Sequence, residues 1–414
     1  MQLLLVVFLL LLLAKTVFEF YLSILNERHV EAHRGAIPEA YRGVLDPERY
    51  GQSVDYTIAK LRFGRWEAGL QAILLALVLG TGFLWWLYSG LSAIFGPGVW
   101  GQAAVLFSIG VFLQLPQLPL DYLEQFRLEE RFGFNKSTRK LWVMDQLKGF
   151  VVNAVLIIPL LALILAIVGW FPEWWWLLGF AVFFGFMLLM MVLYPMLILP
   201  LFNKLEPLAE GELKDRLMDL SDRAKFQAKT IQVIDGSKRS AHSNAYFTGF
   251  GKFRRIVLFD TLIEQMETEE LEAVLAHEIG HYRLGHIPKM LGLSALSGLG
   301  AFGLVAWLAG QSWFLTGFGF SSEAGIAAVF LLFSMVSGVI TFWLTPLFSH
   351  WSRKHEYEAD HFAREAIGGA GPMLEALRKL TEKNLSNLTP HPLYSSWYYS
   401  HPSLHEREQA LTQA

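Results

Sequence analysis

The chain has no cysteine, so disulfides and thiolate metal sites are excluded, and any metal must be held by His, Asp, Glu or backbone oxygen. Charge is also scarce: 17% of the 414 residues are Asp, Glu, Lys or Arg, against about a quarter in an average soluble domain. The formal net charge of -3 supplies no global cationic field, and no nucleic acid is expected as a partner. The start of the chain lacks basic residues too. The apolar run 1–13 has no cationic leader end, and Lys15-Thr16-Val17-Phe18-Glu19 is no small-residue cleavage site, so the run reads as a retained span.

What the chain has in abundance is apolar length: 53% of residues are hydrophobic, with 32 Phe and 14 Trp. Apolar stretches long enough to cross a bilayer core recur at 1–25, 66–94, 101–120, 150–170, 175–200, 287–312 and 325–348, seven candidate spans. The connections alternate in charge. No Lys or Arg occurs in 95–100, 171–174 or 313–325, whereas the first connection carries Arg28, Arg34, Arg42, Arg49, Lys60, Arg62 and Arg65. The next cationic connection carries Arg127, Arg131, Lys136, Arg139, Lys140 and Lys148. Lys and Arg resist translocation, which puts these loops in the cytoplasm and the N-terminus outside. Trp85, Trp86, Trp100, Trp170, Trp174, Trp175, Trp176 and Trp313 cluster at the opposite ends, where an interfacial aromatic belt is expected.

Between the fifth and sixth spans the composition becomes that of a soluble domain. Residues 206–225 read as an amphipathic helix, 230–234 and 255–259 as short strands, and 269–285 as a helix. Glu269, Glu270 and Glu272 fill the first turn of that last helix, where the macrodipole favours negative charge, and Leu271, Val274, Leu275 and Ile279 form its buried stripe.

That helix carries His277-Glu278-Ile279-Gly280-His281. Two histidines four residues apart project from one face about one turn apart, which suits two ligands of a tetrahedral zinc site. Glu278, a third of a turn away, is offset from the ligand face yet near enough to take a proton from an attacking water. A third ligand is still needed. A His six residues beyond His281 would serve, but Ile287 stands there, and His286 reads as a helix C-terminal cap. The alternative is a carboxylate from the segment 352–360, directly after the last span, where spacing alone leaves Glu356, Glu358 and His355 as rivals. Asp360, one turn past Glu356, is expected to orient a ligand imidazole through its second nitrogen.

Several ordered segments carry a wider likeness: 55–60 (Asp-Tyr-Thr-Ile-Ala-Lys), 129–135 (Glu-Glu-Arg-Phe-Gly-Phe-Asn), 243–247 (Ser-Asn-Ala-Tyr-Phe), 255–262, the His-Glu motif, the Glu356 segment and 399–402 (Tyr-Ser-His-Pro). Over nearly its whole length the chain resembles the type I CAAX prenyl endopeptidase family of integral-membrane gluzincins. The resemblance implies one zinc per chain on His277, His281 and Glu356, with Glu278 as general base. It further implies Asn244, Ala245 and Tyr246 as an edge that pairs with substrate backbone, and His401 as a group facing the oxyanion. His405 and Arg407 are weaker candidates.

The fold expected is mainly α: a polytopic membrane protein of about seven transmembrane helices with an α+β catalytic domain on the cytoplasmic side; the resemblance implies that the helices enclose a chamber and that the catalytic domain is a gluzincin. It divides into transmembrane helices 1–203, a catalytic segment 204–286, transmembrane helices 287–350 and a C-terminal segment 351–414 that supplies the third ligand. The expected activity is zinc-dependent endoproteolysis near the cytoplasmic membrane face, on peptide or protein substrates that are C-terminal or lipid-modified, with membrane lipid as a further partner. A quality-control peptidase of the same mechanism and a non-catalytic, zinc-stabilised scaffold or transporter are the alternatives. A bacterial inner membrane is the expected location, with the endoplasmic reticulum as the alternative.

Overall fold

Helices dominate because a chain in lipid must satisfy its backbone N–H and C=O groups internally. The structure, a computed structural model, describes residues 2–35, 37–38, 41, 45–226, 230–248 and 255–413; Arg42 of the first cationic connection lies outside the described residues. Among these, six helices are long and apolar enough to cross a membrane: Leu3–Ala32, Pro47–Gly80, Arg139–Trp170, Trp175–Phe202, His286–Ala309 and Gly325–Ile367. A seventh span arises if Val99–Gln114 and Leu118–Glu129 are taken together across their 43° bend. Pro116, inside that break, and Pro119, just after it, lack the N–H groups that would carry the helical hydrogen bonds across.

Two spans differ from the hydropathy reading. The second helix begins at Pro47, not near residue 66: Asp46 caps it by accepting from the Glu48 N–H at 3.2 Å, so much of the cationic connection is itself helical. The same apolar run breaks at Gly82 (φ 77°) before the short helix Phe83–Phe95. The last span does not stop at 348. After a tight turn at Phe342–Leu344 the helix Thr345–Ile367 continues, carrying the Glu356 segment rigidly out of the apolar region. Trp175 also leaves the expected belt, being 7% exposed and packed edge-on against Phe330 in the core between helices. Lys15 and Glu19 pair at 2.7 Å on the first helix.

The soluble part is built on a four-stranded sheet of order β1-β2-β4-β3: β1 (Leu205–Pro207), β2 (Thr230–Ile234), β3 (Ala245–Thr248) and β4 (Arg255–Phe259). β2 and β4 run parallel, while β1 and β3 are antiparallel edges. The amphipathic helix expected over 206–225 is shortened to Glu212–Arg223, since the preceding residues pair with β2 as β1. One face of the sheet packs Ile231, Ile256 and Leu258 against Leu217, Leu220, Leu275 and Ile279, and the same core takes in Ala363 and Ala376 from the C-terminal segment. The catalytic segment and the tail therefore share one core.

The motif helix spans Thr268–Arg283. A capping box between Glu267 and Glu270 fixes its start, and Arg216 clamps its first turns by binding Glu269 and Glu272, each at 2.7 Å. Gly285, at φ 69°, separates it from the next helix as that helix's N-cap. His286 is consequently not a C-terminal cap: it is the first residue of the next helix, His286–Ala309, and is 1% exposed.

Candidate metal centre and active site

The motif helix turns both histidines toward the helix Thr345–Ile367. His277 and His281 stand with ring planes at 84° and their Nε2 atoms 3.2 Å apart. Glu356 closes the triangle, with Oε2 3.4 Å from His277 Nε2 and Oε1 3.3 Å from His281 Nε2. The two helices can approach this closely because Gly280 faces Ala359, where even a Cβ would be tight. Of the three rivals, Glu358 and His355 face elsewhere, grouped around His286.

Each imidazole is anchored behind. Nδ1 of His277 lies 2.8 Å from Asp360 Oδ1, and Arg407 donates from Nε to Asp360 Oδ2 at 2.7 Å. Burial alone would depress the His277 imidazole, but the carboxylates of Asp360 and Glu356 outweigh it and raise the group to about 9. On the other side, Nδ1 of His281 meets Nδ1 of His286 at 3.0 Å. Glu278, half-buried between the two histidines, has its carboxyl pushed up by desolvation, opposed by the neighbouring charges of His277 and His281.

The donor set fits a divalent cation on internal grounds. Glu356 Oε2 is buried without a hydrogen bond, and one donor atom from each of His277, His281 and Glu356 lies within 4.8 Å of the others.

The other expected site residues are distributed around this centre. His401 Nε2 lies 3.5 Å from Glu356 Oε1; its side chain is 65% exposed, and it lines a cavity of about 840 Å³ together with Glu19, Tyr56, Tyr399 and Arg407. Asn244 accepts from the Phe259 N–H through its carbonyl at 3.1 Å, immediately before edge strand β3, which contains Ala245 and Tyr246. His405 turns away, bonded to Gln409. Arg407, a weak candidate from sequence, is instead buried against Asp360 and His277. Its signal was there to read: Leu404, Arg407 and Leu411 fall on one buried stripe of the last helix, Leu404–Gln413, so a cation there requires a buried partner.

A His-Glu-x-x-His helix closed by a glutamate from a later helix, mounted on membrane-spanning helices, defines a membrane metallopeptidase. Residues 207–414 match Peptidase family M48, and residues 26–204 match the CAAX prenyl protease N-terminal region of five membrane helices. The chain belongs to peptidase family M48. It is 42% identical over 314 residues to CAAX prenyl protease 1 of Saccharomyces cerevisiae, covering 72% of this chain and 69% of that one. It is 32% identical over 439 residues to the Homo sapiens CAAX prenyl protease 1 homolog, covering 93% and 90% respectively. The crystal structure of S. mikatae Ste24p superposes with a TM-score of 0.92 at 35% identity, covering 99% of both chains. The protein is a multi-pass membrane metalloendopeptidase acting on peptide substrates, and a non-catalytic scaffold or transporter is not favoured.

Proposed function

We propose that the metal is a single zinc ion on His277, His281 and Glu356, and that the enzyme cleaves lipid-modified or C-terminal protein segments in the manner of a CAAX prenyl protease. The observation that carries the metal reading is the convergence of three donors: the Nε2 atoms of His277 and His281 lie 3.2 Å apart, and each faces its own oxygen of the Glu356 carboxylate, Oε2 at 3.4 Å and Oε1 at 3.3 Å. One donor atom from each residue lies within 4.8 Å of the others, close enough for a single ion with bonds of about 2.0–2.2 Å to reach all three residues. A three-ligand set leaves one position for chemistry. The substrate class is supported by the printed names of relatives that align along most of the chain.

When bound, zinc lowers the pKa of water to about 7 and polarises a carbonyl oxygen. The remaining work falls to side chains. Glu278 accepts the proton of the attacking water and delivers it to the leaving amine. Asp360, backed by Arg407, keeps the His277 Nδ1–H engaged so that Nε2 faces inward. His401, on the cavity wall beside Glu356, donates to the oxygen that becomes negative in the tetrahedral state. Among the described residues β3 is an edge of the sheet, so its outer side offers Ala245 and Tyr246 for backbone pairing with an extended substrate, and Asn244 secures the start of that strand.

The division into transmembrane helices 1–203 and 287–350, a catalytic segment 204–286 and a ligand-supplying segment 351–414 is retained as the functional organisation. The charge alternation supports a cytoplasm-facing site in a bacterial inner membrane or, in a eukaryotic cell, the endoplasmic reticulum; membrane lipid is the second partner. Purified protein incubated with prenylated and unprenylated peptides, with and without a zinc chelator, tests the reading by mass spectrometry. A chelator-sensitive cut, faster on the prenylated peptide, is expected; no chelator-sensitive cut on either overturns it.

A further inference from the structure

A zinc-bound imidazole uses one nitrogen on the metal and must anchor the other to hold its tautomer and ring plane. For His277 the anchor is Asp360. For His281 the nitrogen turned away from the ligand triangle is Nδ1, and it meets no carboxylate: it lies 3.0 Å from His286 Nδ1, whose own Nε2 lies 2.9 Å from Glu358 Oε2. Two nitrogens facing each other can share only one proton, and only one arrangement satisfies every atom. His281 Nε2 keeps its lone pair for the metal, so His281 Nδ1–H donates to His286 Nδ1, and His286 Nε2–H donates to Glu358.

We propose that His286 and Glu358 form a positioning relay that fixes the tautomer and plane of the ligand His281, an inference that rests on the metal reading above. The His286 ring is itself held in plane: it is buried and stacks on His355 with centroids 4.1 Å apart and planes within 12°. That stacking also excludes the competing idea of a second metal site. Donor atoms of His286, His355 and Glu358 do lie within 4.8 Å of one another. Imidazole lone pairs lie in the ring plane, however, so two rings stacked face to face 4.1 Å apart hold their lone pairs in separate parallel planes and do not converge on one ion, whereas rings at 84°, as for His277 and His281, can. The relay explains why a histidine that misses the ligand spacing is buried beside the site.

The test uses the full-length protein in detergent. His286→Leu removes the acceptor, and His286→Asn restores one where Nδ1 stood; zinc affinity is measured by chelator competition and the ligand field by the absorption of the cobalt-substituted form. His286→Leu should bind zinc about 10- to 100-fold more weakly with a changed cobalt spectrum, and His286→Asn should return both toward the parent. Should changes at buried His286 prevent folding, Glu358, 36% exposed, provides the same comparison: Glu358→Leu weakens zinc binding and Glu358→Gln, which still accepts, restores it. Parental affinity in both Leu variants, or an Asn variant as impaired as Leu, overturns the relay. So does a parent that takes up two zinc ions and loses one in His355→Ala. A parent that binds no zinc defeats the metal reading itself, whereas one zinc with indifferent His286 and Glu358 variants defeats the relay alone.

Discussion

Gly280 lies so close to Ala359 that a Cβ placed on it would stand 3.1 Å from both the Cα and the carbonyl oxygen of its neighbour, and 3.2 Å from the Phe362 ring. Each residue of this pair is beside the proposed metal ligands of its own helix: Gly280 precedes His281, and Ala359 is one turn beyond Glu356. Their approach therefore sets the separation of imidazoles and carboxylate. Gly280→Val forces the helices apart, at about 1–3 kcal/mol of overpacking strain. An opening of the triangle by ~1 Å should also lower kcat/KM by about 100-fold. Thermal unfolding and chelator competition on the variant check this, and parental zinc affinity in Gly280→Val would show that the helix spacing is not what builds the site.

Glu278, the proposed general base, carries a stability penalty. Its carboxyl is raised above 4.5 chiefly by desolvation, so the fold disfavours the ionised form. That penalty is absent below the unfolded value of 4.5 and complete above the raised folded value. Glu278→Gln should abolish hydrolysis, retain zinc, and make the metal-free protein melt at a higher temperature at neutral pH. The gain should vanish near pH ~4, where the parent carboxyl is protonated in both states. Melting curves of metal-free parent and variant across this range decide it, and an equal gain at both ends of the range would locate its cause elsewhere.

Asp360 is 2% exposed, and Arg407 is the cation that balances it. Removing one member of a buried pair strands the other, at a cost of about 3–5 kcal/mol. Arg407→Ala should therefore destabilise the protein by that order and weaken zinc binding through the freed His277 ring. Arg223→Ala, which removes a 53% exposed cation, is the comparison. Similar melting temperatures for the two variants would mean that His277 alone satisfies Asp360.

Apolar length and charge alternation were sufficient to recover a polytopic helical protein, because lipid imposes span length on sequence directly. The strands at Thr230–Ile234 and Arg255–Phe259 were legible for a similar reason, being short β-branched or apolar runs between polar segments. What hydropathy could not register is helix that continues beyond lipid. Pro47–Gly80 and Thr345–Ile367 both extend through polar sequence, and the second brings Glu356 to the histidines. Spacing on one helix identified His277, Glu278 and His281 as a motif, yet could not separate Glu356 from Glu358, since that choice depends on how two distant helices pack. His286 was misread because a C-terminal cap and the first residue of a following helix look alike in sequence when one glycine, Gly285, lies between.

The upward shift of His277 sets a proton against zinc at the same imidazole. Its imidazole is raised from 6.5 to about 9 by Asp360 and Glu356 against burial. A raised histidine contributes stability that is fully present below 6.5 and is lost as pH rises through about 9. Zinc requires the neutral ring, so below that value each ion bound must expel this proton, and apparent affinity should fall about tenfold per pH unit on acidification. Two opposite trends then add: the metal-free fold loses the contribution of His277⁺ as pH rises, while the zinc form gains affinity. The increase in melting temperature produced by a fixed zinc concentration should accordingly grow from pH 6.5 to 9. Titration calorimetry in two buffers of different ionisation enthalpy should register about one proton released per zinc near neutral pH. A zinc-induced shift that is flat or shrinks over this interval, with no proton release, would mean that His277 is already neutral before the metal arrives, and that Asp360 holds it as a hydrogen-bond acceptor alone.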